Sequence, residues 1–171
     1  MNGNVLYTIG YEGSVIEAFI TTLQNAGVSV LVDVRDLPIS RKPGFSKKKL
    51  EAALNPVGIK YVHFKGLGNP KNGRLAARSG NTTLFHHIYA EKLESDVACD
   101  DLRRVAKLIE TEVPCLLCFE KDHKSCHRDQ VANKLMESID LDVRHIDIIS
   151  EIADGIGHND KIHQETIALH G

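Results

Sequence analysis

Strands and helices alternate along this chain, and the alternation predicts an α/β fold: a single three-layer domain with a mostly parallel central sheet of about five strands and helices on both faces. Two observations carry the prediction. The stretch from Val5 to Val34 reads strand, helix, strand, which is a βαβ unit. Much later, the apolar run Val113 to Phe119 ends in Glu120, a short polar loop follows, and Cys126-His127-Arg128 opens a second such crossover. The composition agrees, because 171 residues with 42% apolar and 26% charged content suit one sizeable core and show no sign of disorder.

Taken in order, Val5 to Ile9 is a short buried strand ended by Gly10. Ser14 caps an amphipathic helix through Val15, Ala18, Phe19, Leu23 and Ala26, closed by Gly27. Val28 to Val34 is a β-branched run and the second strand. A loop with Pro38, Pro43 and Gly44 leads to Ser46, read as the cap of a helix over Lys47 to Leu54, and Ile59 to Phe64 is the third strand. Residues 65 to 81 are rich in Gly, Asn and basic side chains, which predicts a long mobile or substrate-facing loop. Helices follow over about Thr83 to Leu93 and Asp100 to Glu112, then the Val113 to Phe119 strand, a helix with its apolar spacing over Gln130 to Ser138, and a last strand Asp142 to Ile146. The domain core runs from about residue 5 to 146, and the tail 148–171 reads as helical and then frayed.

In a parallel sheet, ligands bind beyond the carboxyl ends of the strands. The polar residues cluster there: Gly10 and Tyr11 after the first strand, Asp33 and Arg35 at the end of the second, His63 at the end of the third, Glu120 with Cys126, His127 and Arg128 after the fourth. Asp33 and Arg35 are two apart, so they share a face of an extended strand, and so do Cys118 and Glu120. The expectation is that Asp33, Arg35, Glu120 and Cys126 line one cleft. For Asp33 and Arg35 the alternative is a structural ion pair, and for His63 a satisfied buried histidine. Glu120 would serve as a general base or a positioning group. Cys126 at a helix start, beside His127 and Arg128, is either a thiol of lowered pKa or a packed capping residue. Successive helical residues point about 100° apart, so Cys126, His127 and Arg128 cannot all face one ligand unless it sits on the helix axis, and one of them is expected to support the others.

Other chemistries find less support. Cys115 and Cys118 imitate a Cys-x-x-Cys pair but lie on a strand, where positions three apart face opposite ways. His123, Cys126, His127 and Glu120 could supply ligands, yet they form no closed four-ligand pattern, so no metal site is assigned, and the sequence leaves any cofactor unknown. A phosphatase loop would need Arg six residues after its Cys, where Ala132 follows Cys126 and Lys124 follows Cys118, and no Gly-x-x-x-x-Gly-Lys loop is present. The N-terminus lacks a signal-peptide pattern and no apolar run approaches the roughly 18 residues of a membrane span, so the protein is expected in the cytoplasm with no membrane partner and four reduced cysteines, Cys99, Cys115, Cys118 and Cys126.

The net charge of −2 hides an asymmetry. Between Arg35 and Arg78 eleven basic residues stand against Asp36 and Glu51, a net +9, while the remainder carries ten basic and twenty-one acidic residues, a net −11. Such a stretch attracts phosphates or nucleic acid, or is a solvated lysine-rich face. Four Tyr, five Phe and no Trp leave few base-stacking platforms, which argues against extensive single-strand binding.

With these residues in view, the chain resembles the DUF488 family. Thr8-Ile9-Gly10, Leu31-Val32-Asp33-Val34-Arg35 with the following Pro38 and Arg41, Gly58-Ile59-Lys60-Tyr61-Val62-His63, and Leu116-Leu117-Cys118-Phe119-Glu120 with Cys126-His127-Arg128 match its pattern in order, over about residues 5 to 146. Asp-Val-Arg alone also resembles a rhodanese strand, but a rhodanese active-site loop is missing. Tyr11-Glu12-Gly13 departs from the His-Ser-Asn-like stretch of many family members. The resemblance implies an α/β fold and a shared polar site that includes Arg41, and it supplies no substrate.

Three readings follow. The first is a small enzyme acting on an anionic, phosphate-bearing or nucleic-acid-derived substrate, held by Arg35 and Arg128, with Asp33 or Glu120 handling protons and Cys126 as nucleophile or positioning group. The second is a non-catalytic nucleic-acid-binding or regulatory module built on the basic stretch. The third is a thiol-redox or sulfur-handling protein centred on Cys126. Oligomeric state and strand order are left open.

Overall fold

A computed structural model describes residues 3–149. It is an α/β domain around one five-stranded sheet, with β1 (Val5–Gly10), β2 (Val30–Asp33), β3 (Lys60–His63), β4 (Pro114–Cys118) and β5 (Asp142–His145) in the order β3-β2-β4-β1-β5. Every neighbouring pair is parallel. All five carboxyl ends therefore lie along one edge, which is what brings polar residues from distant parts of the chain together.

Side-chain alternation splits the core in two. Leu6, Val30, Val32, Val34 and Leu116 face one layer, packed on Tyr89, Leu93, Val105, Ile109, Val131 and Leu135. Ile9, Leu31, Cys115 and Leu117 face the other, packed on Phe19, Leu23, Leu50 and Leu54. The second layer holds α1 (Ile16–Asn25) and α2 (Lys47–Leu54); the first holds α3 (Lys71–Arg78), α4 (Thr82–Leu93), α5 (Asp96–Thr111) and α6 (His127–Met136). The inner strands β1, β2 and β4 are largely apolar because both their faces are covered, whereas the edge strands β3 and β5 are more polar and more exposed.

Several local expectations need correction. Ser14 does not cap α1: its Oγ donates to the Tyr11 carbonyl, at 2.8 Å, and Val15 occupies the cap position. Ser46 sits at the start of α2, but its hydroxyl bonds the Ser40 carbonyl instead of capping. The stretch 65–81 is a 3-10 turn over Lys65–Leu67 followed by α3, not a long loop. Its glycines mislead because two of them serve packing: a Cβ on Gly66 would run into Asp101 and Val97, and one on Gly73 into Asn69. The last helix starts at His127, before the apolar spacing becomes visible. The expected helical tail lies mostly outside the described residues.

Among the described residues, no helix is long and apolar enough to cross a membrane.

Candidate functional site

Two polar clusters form at the carboxyl edge, and alternation puts them on opposite faces of the sheet. Asp33 follows Leu31 in parity and so belongs to the α1/α2 face, with its register partner His63. Cys118 follows Leu116 and belongs to the α6 face. The four residues expected in one cleft thus share an edge but divide between its two sides.

On the α1/α2 face, Asp33 is fully buried and Arg35 is 6% exposed. Arg35 Nε and Nη2 donate to the two Asp33 carboxylate oxygens at 2.9 and 2.6 Å, and its backbone N–H adds a third bond, at 3.0 Å. Arg35 Nη1 donates to Tyr11 Oη and to the Phe45 carbonyl at 3.1 and 2.9 Å, while Tyr61 Oη donates to Asp33 at 2.5 Å. Burial works to lower the pKa of Arg35, and the Asp33 carboxylate outweighs it, so the guanidinium is held charged. Burial, with Asp33 beside it, pushes the Tyr61 phenol far up. Tyr11 stacks on Phe45, with ring centroids 4.4 Å apart, and His63 Nε2 bonds the Arg35 carbonyl at 2.7 Å. Asp33 and Arg35 are thus bonded to each other and to neighbouring groups of the chain, and His63 is partly buried beside them.

On the α6 face, Cys118 ends β4 and Cys126 caps α6, its Sγ accepting from the Arg128 backbone N–H at 3.4 Å. The sulfurs of these two cysteines are joined as a disulfide, with Cα atoms 7.4 Å apart. This corrects the expectation of four reduced thiols; Cys99 and Cys115 are free. Arg128, 1% exposed, passes beneath the pair: Nη1 reaches Cys118 Sγ and the Glu120 carbonyl at 2.8 and 2.5 Å, Nη2 the Lys121 carbonyl at 2.9 Å, and Nε the Thr8 hydroxyl at 3.2 Å. Burial lowers its pKa, with Glu120 opposing. Gly10 is required here because a Cβ would collide with the Glu120 carbonyl and crowd Arg128.

Glu120 Oε2 lies 3.2 Å from Cys118 Sγ, as their shared face predicts. Burial raises the pKa of this carboxyl. His127 turns away: its Nε2 bonds the Val34 carbonyl at 2.7 Å, and burial pushes its pKa down to about 4. A carbonyl only accepts, so the ring proton is on Nε2, and the Nδ1 lone pair faces Cys126 Sγ at 3.8 Å. Helical spacing does not keep the three residues apart, because Cys126 is the extended cap residue: His127 Nδ1 and Arg128 Nη1 both reach the Cys118–Cys126 pair.

The ligand set weighed from sequence, His123 and His127 with Cys126 and Glu120, is not assembled. Cys118, Glu120 and Cys126 do bring their ligand atoms within 4.8 Å of one another. Arg128 against Cys118 places a positive charge where a cation would have to sit, which argues against a metal there. Arg41 is exposed on the loop before α2 and joins neither cluster. Residues that sequence reasoning passed over are Cys118 as a partner of Cys126, Thr8 beneath Arg128, and Tyr61 on Asp33. Cys118 left a signal through its parity with Glu120, and Thr8 and Tyr61 through their places in the stretches that carry the family resemblance.

No curated protein and no solved structure matches this chain. The family model described as "Domain of unknown function DUF488" matches residues 15–135, well over half of the length, and includes Asp33, Arg35, Cys118 and the Cys126-His127-Arg128 segment. The chain belongs to the DUF488 family.

Proposed function

We propose that this domain is a thiol–disulfide redox protein whose working group is the Cys118–Cys126 pair. The observation that carries the reading is that two cysteines from separate elements meet, at the end of a strand and the cap of a helix, against one buried guanidinium.

In the reducing direction, the thiolate of a small thiol attacks Cys126, because Cys118 is the sulfur against Arg128 and so the better leaving group. A mixed disulfide forms at Cys126 and the bond to Cys118 breaks, with the electron pair leaving on Cys118 Sγ. Arg128 stabilises that thiolate and Glu120 supplies its proton. A second thiolate then displaces Cys126, so that two electrons and two protons pass from two thiols to the pair and one small-molecule disulfide is released. The helix N-terminus and the Nδ1 lone pair of His127 both favour loss of the Cys126 proton in the reverse reaction.

This takes the sulfur-handling reading over the anionic substrate, because Arg35 and Arg128 give their donors to Asp33, Tyr11 and backbone carbonyls. The basic stretch is likewise partly neutralised: Arg74 pairs with Asp36 and Lys60 with Glu112.

The test equilibrates the full chain in glutathione mixtures of graded ratio, quenches with acid, and reads the alkylation state of each cysteine by mass spectrometry. One cooperative two-electron transition confined to Cys118 and Cys126, and abolished by either Cys→Ser substitution, is the expected result. Two thiols that stay reduced and independent across the whole range would overturn the reading.

A further inference from the structure

We propose that His123, Asp129 and His145 bind a divalent first-row transition-metal ion at the β5 side of the sheet edge. The three side chains come from separate elements: a 3-10 turn (His123–Ser125), the first turn of α6, and the last residue of β5. Asp129 Oδ1 lies 3.0 Å from His123 Nδ1 and 3.6 Å from His145 Nε2, and one ligand atom from each residue falls within 4.8 Å of the others. Ligands about 2.0–2.2 Å from a tetrahedral ion stand roughly 3.4 Å from each other, which is close to these separations.

The surroundings are those of a ligand set rather than of a chance surface group. Thr8 and His145 are register partners on adjacent strands, so their side chains share a face, and the Thr8 hydroxyl meets His145 Nδ1 at 2.7 Å. Thr8 is fully buried and is itself held by Arg128. That contact fixes the ring and leaves Nε2 as the outward nitrogen, the usual arrangement behind a ligating histidine. His123 also lines an open depression of about 710 Å³, whose rim carries Glu12, Asp122 and Asp147 against Lys121. The acidic excess draws cations toward it.

Two imidazoles and one carboxylate suit zinc, iron(II), cobalt or nickel better than calcium or magnesium, and they leave coordination positions open toward the depression. The His123 and His145 rings are stacked, with centroids 3.5 Å apart and planes within 4°. Parallel rings cannot aim both lone pairs at one ion, so binding includes a turn of the His123 ring, which is only partly buried. The site uses neither cysteine and does not depend on the redox reading.

The experiment is equilibrium titration of the untagged, reduced full chain with Zn²⁺ against a chromophoric chelator, and with Co²⁺ followed by absorption. Binding of one equivalent is expected, with a Co²⁺ spectrum that lacks a thiolate-to-cobalt charge-transfer band. Asp129→Asn, His145→Gln and His123→Gln should each weaken it by at least about tenfold, and Thr8→Val by about 10–100-fold as a residue behind the ligand. The Cys118→Ser, Cys126→Ser double variant should bind as the parent does. Circular dichroism checks each fold; should a β5 variant not fold, His123→Gln, on a partly exposed turn outside the sheet, decides the matter. Absence of binding by the parent chain, binding untouched by His123→Gln and Asp129→Asn, or a thiolate band abolished by the cysteine substitutions would each overturn the assignment.

Discussion

The two faces of the sheet's carboxyl edge carry buried charge in opposite ways. On the α1/α2 face, Asp33 and Arg35 neutralise each other, with Tyr11, Tyr61 and the Phe45 carbonyl bonded to the pair. On the α6 face, Arg128 has no carboxylate partner of its own. It lies against a sulfur, a hydroxyl and two carbonyls, and the nearby Glu120 carboxyl lies against Cys118. A buried charge matched by its counter-ion fixes structure, whereas one matched only by dipoles remains able to stabilise a charge that appears during a reaction.

The largest expected effect tests the closed cluster. Asp33→Ala leaves Arg35 buried without its counter-ion and should cost about 3–5 kcal/mol in urea unfolding at neutral pH. Cys126→Ser should cost much less. A loss under about 1 kcal/mol for Asp33→Ala would mean that the pair is not the anchor the geometry implies.

Gly10→Ala addresses the open cluster. The added methyl drives into the Glu120 carbonyl that Arg128 holds, an overpacking that should cost about 1–3 kcal/mol and displace Glu120 from Cys118. Chemical denaturation reads the first consequence, and the rate at which Cys118 is released on reduction reads the second. An unchanged reduction rate in a destabilised variant would separate Gly10 from the sulfur chemistry.

A smaller effect concerns pH. Burial holds the Glu120 pKa above its ordinary 4.5, so the folded chain binds more protons than the unfolded chain between those values. The contribution of Glu120 is therefore fully present below the unfolded value and is lost as pH rises through the folded one. Glu120→Gln should flatten the decline of stability across that window, seen in midpoint against pH, and slow protonation of the Cys118 leaving group. A parent profile that rises with pH by virtue of Glu120 would contradict the sign.

The smallest effect is on the exposed lysines of α2. Reversing Lys47, Lys48 and Lys49 to Glu should leave both stability and the dithiol–disulfide equilibrium within about 0.5 kcal/mol of the parent. A larger shift in the redox equilibrium, fading with salt, would return weight to the basic surface.

The α/β class was legible because parallel strands covered on both faces must be mainly apolar, and Val30 to Val32 and Pro114 to Cys118 are. Asp33, Arg35, Glu120 and Cys126 were legible as strand-end and helix-start residues. Residues 65–81 were misread because Gly66 and Gly73 look like loop signals when they are there for close packing. His145 and Asp129 escaped notice because a lone histidine on a short polar strand and an acid in a first helical turn are ordinary until the strand order is known.

By itself, then, the sequence determined the element types, the carboxyl edge as the place where polar groups collect, and which residues share a strand face, since all three follow from local periodicity. Only the tertiary structure decided which polar groups meet. The order β3-β2-β4-β1-β5 puts β1 between β4 and β5, so that Thr8 stands beside His145 and under Arg128, and it sets Asp33 and Cys118 on opposite faces of neighbouring strands. These contacts join residues more than a hundred positions apart, and no local pattern encodes a pairing between strands that only packing brings together.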